Sequence, residues 1–339
     1  MIETRRIAFT DFNKAEVVPF SCREPNPMEV TVKYEYTAIS SGTERANISG
    51  DPNVNAATAF DPNAPLFPRY SGYSGTGIVY KIGEGVKNVK VGDRVVIRWG
   101  SHAEYYTTSC RNVVKIPDGV DFDEAAFALI SNFSLGAIRK VRLEMGESLI
   151  VMGLGVLGIF SVMLGKAAGA CPIIAVDPVK ERREYALKMG ADFALDPNDE
   201  NFAKTVKQLT NGGVETAIEV SGFGKALDQV LDCVKPFGRI ALLGCTRDSD
   251  FTIDYYRKVH YPGITIVGAH THARPVYESR PGFWAENDDI AAILKLLKAK
   301  RIDYKQLISE VHKPEDAPEV YKRLVTDKNF PVGVLFKWN

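Results

Sequence analysis

The segment of residues 149–177 constrains the fold of this chain more than any other. An apolar run, LIVM at 149–152, leads into the glycine-rich stretch GLGVLG at 153–158, and a run with helical spacing follows. A second apolar run, IIAV, then ends at Asp177. A strand, a glycine turn, a helix and a second strand make one βαβ unit, which places the chain among the parallel α/β folds.

The glycine spacing in this unit predicts a ligand. Gly153 permits a tight turn, Gly155 lets the backbone approach a pyrophosphate, and Gly158 lets the helix pack closely on the strand. Val156 and Leu157 begin the helix, whose N-terminal N–H groups face a bound phosphate. The motif in this context predicts a nicotinamide dinucleotide and hence an oxidoreductase, whereas a glycine turn that binds nothing is the alternative.

Asp177 bears on which dinucleotide binds. It lies about 20 residues beyond the glycines, at the end of the second strand, where an acid hydrogen-bonds the adenosine ribose hydroxyls. An acid there repels a 2′-phosphate, so NAD is favoured over NADP. NADP stays possible because Lys180, Arg182 and Arg183 follow closely and can serve a phosphate.

Composition narrows the classes of partner. Among 339 residues, 42 Lys plus Arg balance 42 Asp plus Glu, so no net charge attracts nucleic acid or an anionic membrane. The first residues lack the apolar run of a secretory signal, and no segment approaches the ~18 uninterrupted apolar residues of a membrane span. We expect a cytoplasmic protein with a small-molecule substrate, and neither nucleic acid nor a membrane as partner.

The chain has two textures. Up to about residue 117, short alternating runs are punctuated by Gly, Pro and Asn, which is typical of a β-rich, barrel-like unit. From about residue 121, strands alternate with helical periods, which is typical of a doubly wound parallel sheet. The predicted fold class is therefore α/β, with a Rossmann parallel sheet and a second, β-rich domain.

Several motifs together resemble the medium-chain dehydrogenase/reductase superfamily, which contains the zinc-type alcohol and polyol dehydrogenases. In chain order they are SGTE at 41–44, PRYSGYSGTG from 68, KVGDRV from 90, GLGVLG, IEVSG and GRIALLG. The resemblance implies a GroES-like catalytic domain of residues 1–120 and 270–339 and a Rossmann NAD-binding domain of residues 121–269. It also implies a homodimer or a homotetramer.

The chain departs from that family at the metal. Zinc-dependent members hold the catalytic zinc with a Cys, a His, often a Glu, and a further Cys or Glu, whereas the matching positions here are Ser41, Tyr73, Ser74 and Ser131. Hydroxyl groups are poor zinc ligands, and the four-cysteine lobe expected after GDRV is missing. We expect no zinc and a likeness to the metal-free relatives.

Without a metal, a side chain must handle the hydroxyl proton. Thr43 matches the residue that passes this proton in family alcohol dehydrogenases, although a Thr that caps a turn is the alternative. Tyr73 can act as a general acid/base or fill the space left by the metal. Glu44 can orient Thr43 or bind substrate hydroxyls, against a buried structural pairing.

Two histidines follow a predicted strand of the cofactor sheet. His270 and His272, in GAHTH, come at the carboxyl edge, where ligands of such sheets gather. Positions i and i+2 of an extended segment face opposite sides, so one of the two, and not both, is expected to contact substrate or move a proton. Hydrogen-bonded packing is the alternative, and His102 is a further candidate to line the cleft.

Family analogy places two turns beside the nicotinamide ribose and ring. One contains Ser221 and Gly222, and the other contains Gly244 and Cys245. Cys245 is expected to be a small residue that admits the cofactor, because no His or Asn partner follows it locally.

Two loops are candidates for substrate specificity. The polar segment at 47–69 is far longer than usual connections, and long loops in compact domains tend to bind ligands. A segment at 275–287 offers Tyr277, Arg280 and Trp284, which suit a hydroxylated or ring-shaped substrate.

The sequence thus predicts zinc-independent, NAD-dependent oxidation of a secondary alcohol on a sugar, cyclitol, glycoside or similar ring, or the reverse reduction. One alternative is NAD(P)H-dependent quinone or enoyl reduction, which needs little acid catalysis. Another is a non-catalytic nucleotide-binding redox sensor.

Overall fold

The computed structural model describes residues 1–54, 65–247, 249 and 251–339. In chain order the strands are β1 (Ile2–Asp11), β2 (Lys14–Cys22), β3 (Glu29–Ala38), β4 (Ser74–Ile82), β5 (Arg94–Arg98), β6 (Tyr105–Ser109), β7 (Val113–Lys115), β8 (Leu149–Met152), β9 (Ile173–Val176), β10 (Phe193–Leu195), β11 (Val214–Glu219), β12 (Val234–Leu242), β13 (Thr265–Gly268), β14 (Ile308–His312) and β15 (Gly333–Lys337).

The helices are α1 (Ser41–Ile48), α2 (Phe122–Ala125), α3 (Ala128–Lys140), α4 (Val156–Ala168), α5 (Lys180–Lys188), α6 (Phe202–Leu209), α7 (Gly224–Cys233), α8 (Glu286–Lys298) and α9 (Ala317–Thr326). A π-helical turn covers Tyr256–His260, and short 3₁₀ turns cover Cys110–Asn112, Tyr304–Leu307 and Pro314–Asp316. In the part of the chain that the structure describes, no helix has both the length and the apolar character needed to cross a membrane.

The chain forms two compact units, one of residues 1–130 with 290–339 and the other of residues 131–289. In the first unit, the strands of the larger sheet follow the order β14-β15-β3-β4-β5-β7, with β6 also paired to β3, while β1 and β2 form a hairpin. Val30, Val32 and Tyr34 of β3 alternate into the core of this unit. The predicted β-rich unit is confirmed.

The second unit is a parallel sheet in the order β10-β9-β8-β11-β12-β13. Strands β8 and β9 are buried along their whole length, as expected of central strands covered on both faces. The strand order reverses between β8 and β11, and ligands of such sheets bind at this switch point. The Rossmann prediction is confirmed, and the glycine turn after β8 lies at the expected edge.

The observed boundaries, at 130 and 289, lie beyond the predicted 120 and 269. A buried charge cluster explains the second difference. Arg274 donates to Asn132 Oδ1 at 2.8 Å and lies 3.2 Å from Asp289, and Arg139 Nε lies 2.6 Å from the same carboxylate. Asp289 is only 1% exposed. These contacts fasten the segment after β13 to α3, so it belongs to the second unit.

Candidate active site

The glycine turn after β8 has the geometry that the motif predicts. Gly153 has φ +97°, and a Cβ there would lie 3.0 Å from the backbone nitrogen of Ser221. A Cβ at Gly158 would lie 1.9 Å from the Gly153 carbonyl oxygen, so any larger residue would push α4 off the turn. At Gly155, by contrast, a Cβ would meet nothing within 4 Å.

That open space lies at the start of α4. Gly155 is the N-cap residue, no side chain caps the helix, and Val156 and Leu157 form its first turn. The N–H groups of a first helical turn lack partners within the helix and favour an anion. The residues present therefore fit the pyrophosphate of a dinucleotide, which when bound supplies the carbon that accepts or donates a hydride.

Asp177 is tied to this turn. Its carboxylate accepts the Leu154 N–H through Oδ2 and the Val179 N–H through Oδ1, each at 2.9 Å, and the residue is 3% exposed. Arg182 Nη1 lies 3.7 Å from Oδ2, and Arg183 donates to the Asp177 carbonyl oxygen at 2.6 Å. A carboxylate has about four acceptor sites, so capacity for ribose hydroxyls is left.

The two turns expected beside the nicotinamide lie together. A Cβ at Gly244 would lie 2.4 Å from the Gly222 nitrogen, and one at Gly222 would lie 2.8 Å from the Cys245 carbonyl oxygen. Only glycine permits so close an approach of two backbones. The geometry brings Ser221 and Cys245 to the carboxyl edge of neighbouring strands β11 and β12.

A buried acid that the sequence analysis missed organises these turns. Glu219 is 2% exposed, and its Oε1 accepts the N–H groups of Ser221 at 2.8 Å and Gly222 at 3.1 Å. Burial raises the pKa of Glu219, while the Ser221 hydroxyl and these N–H groups oppose the rise. The sequence signal that could have predicted this role is an acidic residue at a strand end, two positions before Ser221 and Gly222.

His270 and His272 do not point to opposite faces, so that expectation was wrong. Strand β13 ends at Gly268, and a turn follows in which Ala273 N–H donates to the His270 carbonyl oxygen at 2.8 Å. The two rings are 5.2 Å apart, and the His272 N–H lies 3.3 Å from His270 Nδ1. Burial, and then the charge of His272, lowers the pKa of His270.

In the first unit, Tyr73 meets the residue that precedes α1. Its phenol donates to Ser40 Oγ at 2.5 Å, and its ring centroid lies 5.5 Å from that of Trp99. Trp99, which the sequence analysis did not single out, has φ +58°, a strained conformation for a bulky residue. Strained backbone of this kind concentrates at functional sites, so it favours the hypothesis that the region around Tyr73 is part of one.

Glu44 and His102 do not take the positions expected of site-lining residues. Both are 0% exposed. The Glu44 carboxylate accepts the Ser40 N–H at 2.9 Å and the Tyr321 phenol at 2.6 Å, and it lies 3.2 Å from His102 Nε2. Glu44 therefore has the buried pairing that was the alternative. Thr43, in the first turn of α1, is partly exposed, and its catalytic role stays a prediction.

The structure describes only part of the first predicted specificity loop and all of the second. Residues 55–64 of the first lie outside the described residues. In the second, Tyr277 is 63% exposed, Arg280 pairs through its backbone with Phe283, and the Trp284 ring lies 3.8 Å below the Arg139 guanidinium.

Comparison with known proteins decides the family. Residues 26–118 match the Alcohol dehydrogenase GroES-like domain family, and residues 156–281 match the Zinc-binding dehydrogenase family. The chain is 30% identical over 284 residues to L-threonine 3-dehydrogenase of Pyrococcus horikoshii, covering 75% of this chain and 79% of that protein. The chain belongs to the medium-chain dehydrogenase/reductase superfamily. It is therefore an oxidoreductase of the alcohol dehydrogenase type, as predicted.

Other members of the superfamily are similar along nearly the whole chain. D-guloside 3-dehydrogenase of Escherichia coli strain K12 is 25% identical over 354 residues, covering 98% of this chain and 100% of that protein. The crystal structure of 2R,3R-butanediol dehydrogenase from Bacillus subtilis superposes with a TM-score of 0.84 at 22% identity, covering 99% and 100% of the two chains. The latter likeness establishes the fold.

The four positions that the resemblance matches to zinc ligands carry hydroxyl groups. Ser41 begins α1, Tyr73 bonds Ser40, and Ser74 is buried and donates to the Ala126 carbonyl oxygen at 2.6 Å. Ser131 is buried as well. Among the described residues, no three or more His, Cys, Asp or Glu side chains are grouped so that they could hold a metal. This donor set does not fit a catalytic zinc.

Proposed function

We propose that this dehydrogenase transfers a hydride between NAD and a secondary alcohol or ketone, and that a tyrosine hydroxyl replaces zinc at the reacting oxygen. The observation that carries the proposal is the hydrogen bond from the Tyr73 phenol to Ser40 Oγ. The resemblance to the superfamily matches Tyr73 to a zinc ligand of the zinc-dependent members. In the reduction, the phenol gives its proton to the ketone oxygen as the carbon receives the hydride. In the oxidation, the deprotonated phenolate accepts the alcohol proton as the hydride leaves for NAD, as a general acid/base does.

The surroundings of Asp177 support NAD over NADP. The buried Asp177 carboxylate is the group expected to contact the ribose, and Arg182 faces that carboxylate at 3.7 Å. Arg183 is engaged with the Asp177 carbonyl oxygen and with Asp196. A 2′-phosphate would have to displace these contacts beside a negative charge, whereas a ribose hydroxyl donates to it.

The sheet gives the bound cofactor a direction. If Asp177 holds the adenosine ribose beyond β9 and the turn after β8 holds the pyrophosphate, the nicotinamide half extends the other way, over β11 to β13. Neighbouring strands are spaced by about 4.8 Å, so this half passes Ser221 and Gly244 before reaching His270. His270, whose pKa is lowered by burial and by the charge of His272, is the second candidate for the acid/base.

The relatives and two aromatic residues support the proposed substrate class. Two relatives are named for dehydrogenation at position 3, of L-threonine and of a D-guloside, and both positions are secondary alcohols. Tyr73 and Trp99 place a hydrogen-bonding aromatic beside a large apolar ring, an arrangement that suits a hydroxylated ring substrate. We propose a sugar, cyclitol or glycoside rather than a simple primary alcohol.

The test measures NADH or NADPH production from a panel of glycosides, cyclitols, acyclic polyols and primary alcohols, with NAD and with NADP. A second assay measures NADH or NADPH consumption with quinones and enones. We expect turnover with NAD on cyclic secondary alcohols. Turnover only on quinones or enones would overturn the proposal in favour of the reductase predicted as an alternative. Tight cofactor binding with no turnover on any compound would instead support the redox sensor.

A further inference from the structure

A fully buried polar cluster lies behind the Tyr73 region and is not part of the proposed chemistry. We call it the Glu44 network. Its side chains come from five separate segments of the first unit, and each is 3% exposed or less. They are Thr37, Glu44, His102, Tyr321 and Trp338.

The hydrogen bonds of the network form one connected chain. The Trp338 indole donates to Thr37 Oγ1 at 3.0 Å, and Thr37 Oγ1 lies 2.7 Å from His102 Nδ1. His102 Nε2 lies 3.2 Å from Glu44 Oε2, which also accepts the Tyr321 hydroxyl at 2.6 Å. Burial, followed by the charge of Glu44, raises the pKa of Tyr321 far above its usual range. Tyr321 is therefore a donor and Glu44 an acceptor.

The network is attached to both sides of the Ser40 and Tyr73 pair. Glu44 Oε1 accepts the Ser40 N–H at 2.9 Å. The His102 N–H donates to the Ser71 carbonyl oxygen at 2.7 Å, and a Cβ at Gly72 would lie 2.3 Å from His102 Cγ. The contact between Glu44 and His102 thus connects two backbone segments, the one that carries Ser40 and the one that carries Tyr73. The hydrogen bond from Tyr73 to Ser40 is formed between the side chains of the same two segments.

We propose that Glu44 and His102 are positioning residues for proton transfer, holding the Ser40 hydroxyl against the Tyr73 phenol. In a zinc enzyme the metal itself would join residues of these two segments. Here the buried pair of Glu44 and His102 connects the two segments, and it lies in the core behind Ser40 and Tyr73. A misplacement of about 1 Å can slow a reaction by about 100-fold, so small shifts of Ser40 matter. The inference rests on the proposed function of Tyr73.

The test compares Glu44→Gln, Tyr73→Phe and the double variant in the full chain. Glu44→Gln keeps the volume but turns an amide N–H₂ toward donors, so we expect kcat to fall by about ten-fold or more. The KM for NAD should change by less than about two-fold, because the cofactor residues belong to the other unit. In the Tyr73→Phe background, Glu44→Gln should have almost no further effect on kcat.

Losses that multiply in the double variant would overturn the inference, since Glu44 would then act independently of Tyr73. A fully active Tyr73→Phe would instead overturn the proposed function, so the two failures are distinguishable. If Glu44→Gln fails to fold, Tyr321→Phe takes its place, because it removes one donor and leaves the Glu44 carboxylate. It is then compared alone and in combination with Tyr73→Phe in the same way. Glu310→Gln is the matched control: its partner Arg323 is on α9 with Tyr321, and kcat should be unchanged.

Discussion

We propose that the carboxylate of Asp177 has two functions. It bonds the Leu154 N–H inside the glycine turn, and it is the acid proposed to bind the adenosine ribose. On this proposal, Asp177 links the shape of the phosphate site to the choice of cofactor. A substitution should affect both, and the KM for NAD is the quantity that reports it.

We predict that Asp177→Asn raises the KM for NAD by about 10- to 100-fold and leaves kcat within a few-fold. Each lost hydrogen bond to a charged group is worth about 1.5–3 kcal/mol, and about 1.4 kcal/mol is a factor of ten. Steady-state kinetics at saturating alcohol measure it.

Asp192→Asn is the control for this prediction. Asp192 also accepts a backbone N–H, that of Ile173 at 2.7 Å, but at the amino end of β9. Its substitution should leave the KM for NAD unchanged. An unchanged KM in Asp177→Asn would remove the ribose assignment.

Two glycines of the turn between β8 and α4 are predicted to have different roles, one structural and one in ligand binding. Gly158 faces protein and Gly155 faces open space, although both belong to one motif. Gly155 has φ −70°, which alanine also adopts, so the backbone does not require glycine there, and we attribute the absence of a side chain to a bound ligand.

We predict that Gly155→Ala changes the free energy of unfolding by less than about 0.5 kcal/mol but weakens NADH binding at least about ten-fold. The new methyl would occupy the space proposed for the pyrophosphate. Gly158→Ala should lower the stability by several kcal/mol, because its Cβ would lie 1.9 Å from a carbonyl oxygen. Denaturant unfolding and NADH fluorescence titration measure both quantities. Undiminished NADH affinity in Gly155→Ala would contradict the assignment.

Strand β14 and helix α9 are joined by an ion pair that gives a pH dependence. Arg323 donates to both oxygens of Glu310, and this pair, with a smaller contribution from His312, lowers the Glu310 pKa from 4.5 to about 2. A carboxyl with a depressed pKa stabilises the fold above its unfolded pKa. That contribution is lost as the pH falls from 4.5 toward 2.

We predict that Glu310→Gln lowers the free energy of unfolding by about 1 kcal/mol at neutral pH, a modest value because both side chains are partly exposed. The difference from the parent protein should shrink as the pH falls below about 4.5. Urea unfolding at several pH values measures it. A difference that is constant with pH would show that the pair does not titrate as described.

At the scale of the whole molecule, the expected loss of zinc is the property that most separates this protein from zinc-dependent relatives. The motifs and the two-unit fold are those of the superfamily, yet the positions that the resemblance matches to zinc ligands carry hydroxyls. Homodimer or homotetramer formation and a cytoplasmic location stay predictions; light scattering of the purified protein tests the first.

We predict that exhaustive dialysis against a strong chelator leaves the specific activity within about two-fold of the untreated enzyme, because no step of the proposed mechanism needs a Lewis acid. Elemental analysis of the active protein should find zinc well below one atom per chain. Activity that is lost on chelation and restored by zinc would contradict the zinc-independent mechanism. A zinc-dependent alcohol dehydrogenase treated in parallel is the control.

Local sequence patterns were enough to predict the fold and the turn that is expected to bind the cofactor. The glycine turn, the strand before it and the acid after β9 lie within one short segment, so their periodicity and spacing reflect contacts between near neighbours. The β-rich texture and the alternating strands and helices predicted the two units for the same reason. The resemblance to the superfamily came from motifs of this local kind.

Tertiary structure alone decided what lies around the reacting groups. Tyr321 bonds Glu44 across 277 residues, and His102 bonds it across 58, so no spacing in the chain reveals the network. The turn after Gly268 brought His270 and His272 to one side, because backbone conformation beyond a strand end depends on what it packs against. The sequence by itself determined the elements and the cofactor turn. The partners of each buried polar group were decided by the fold, because a polar atom removed from water must bond whatever donor or acceptor packing brings near.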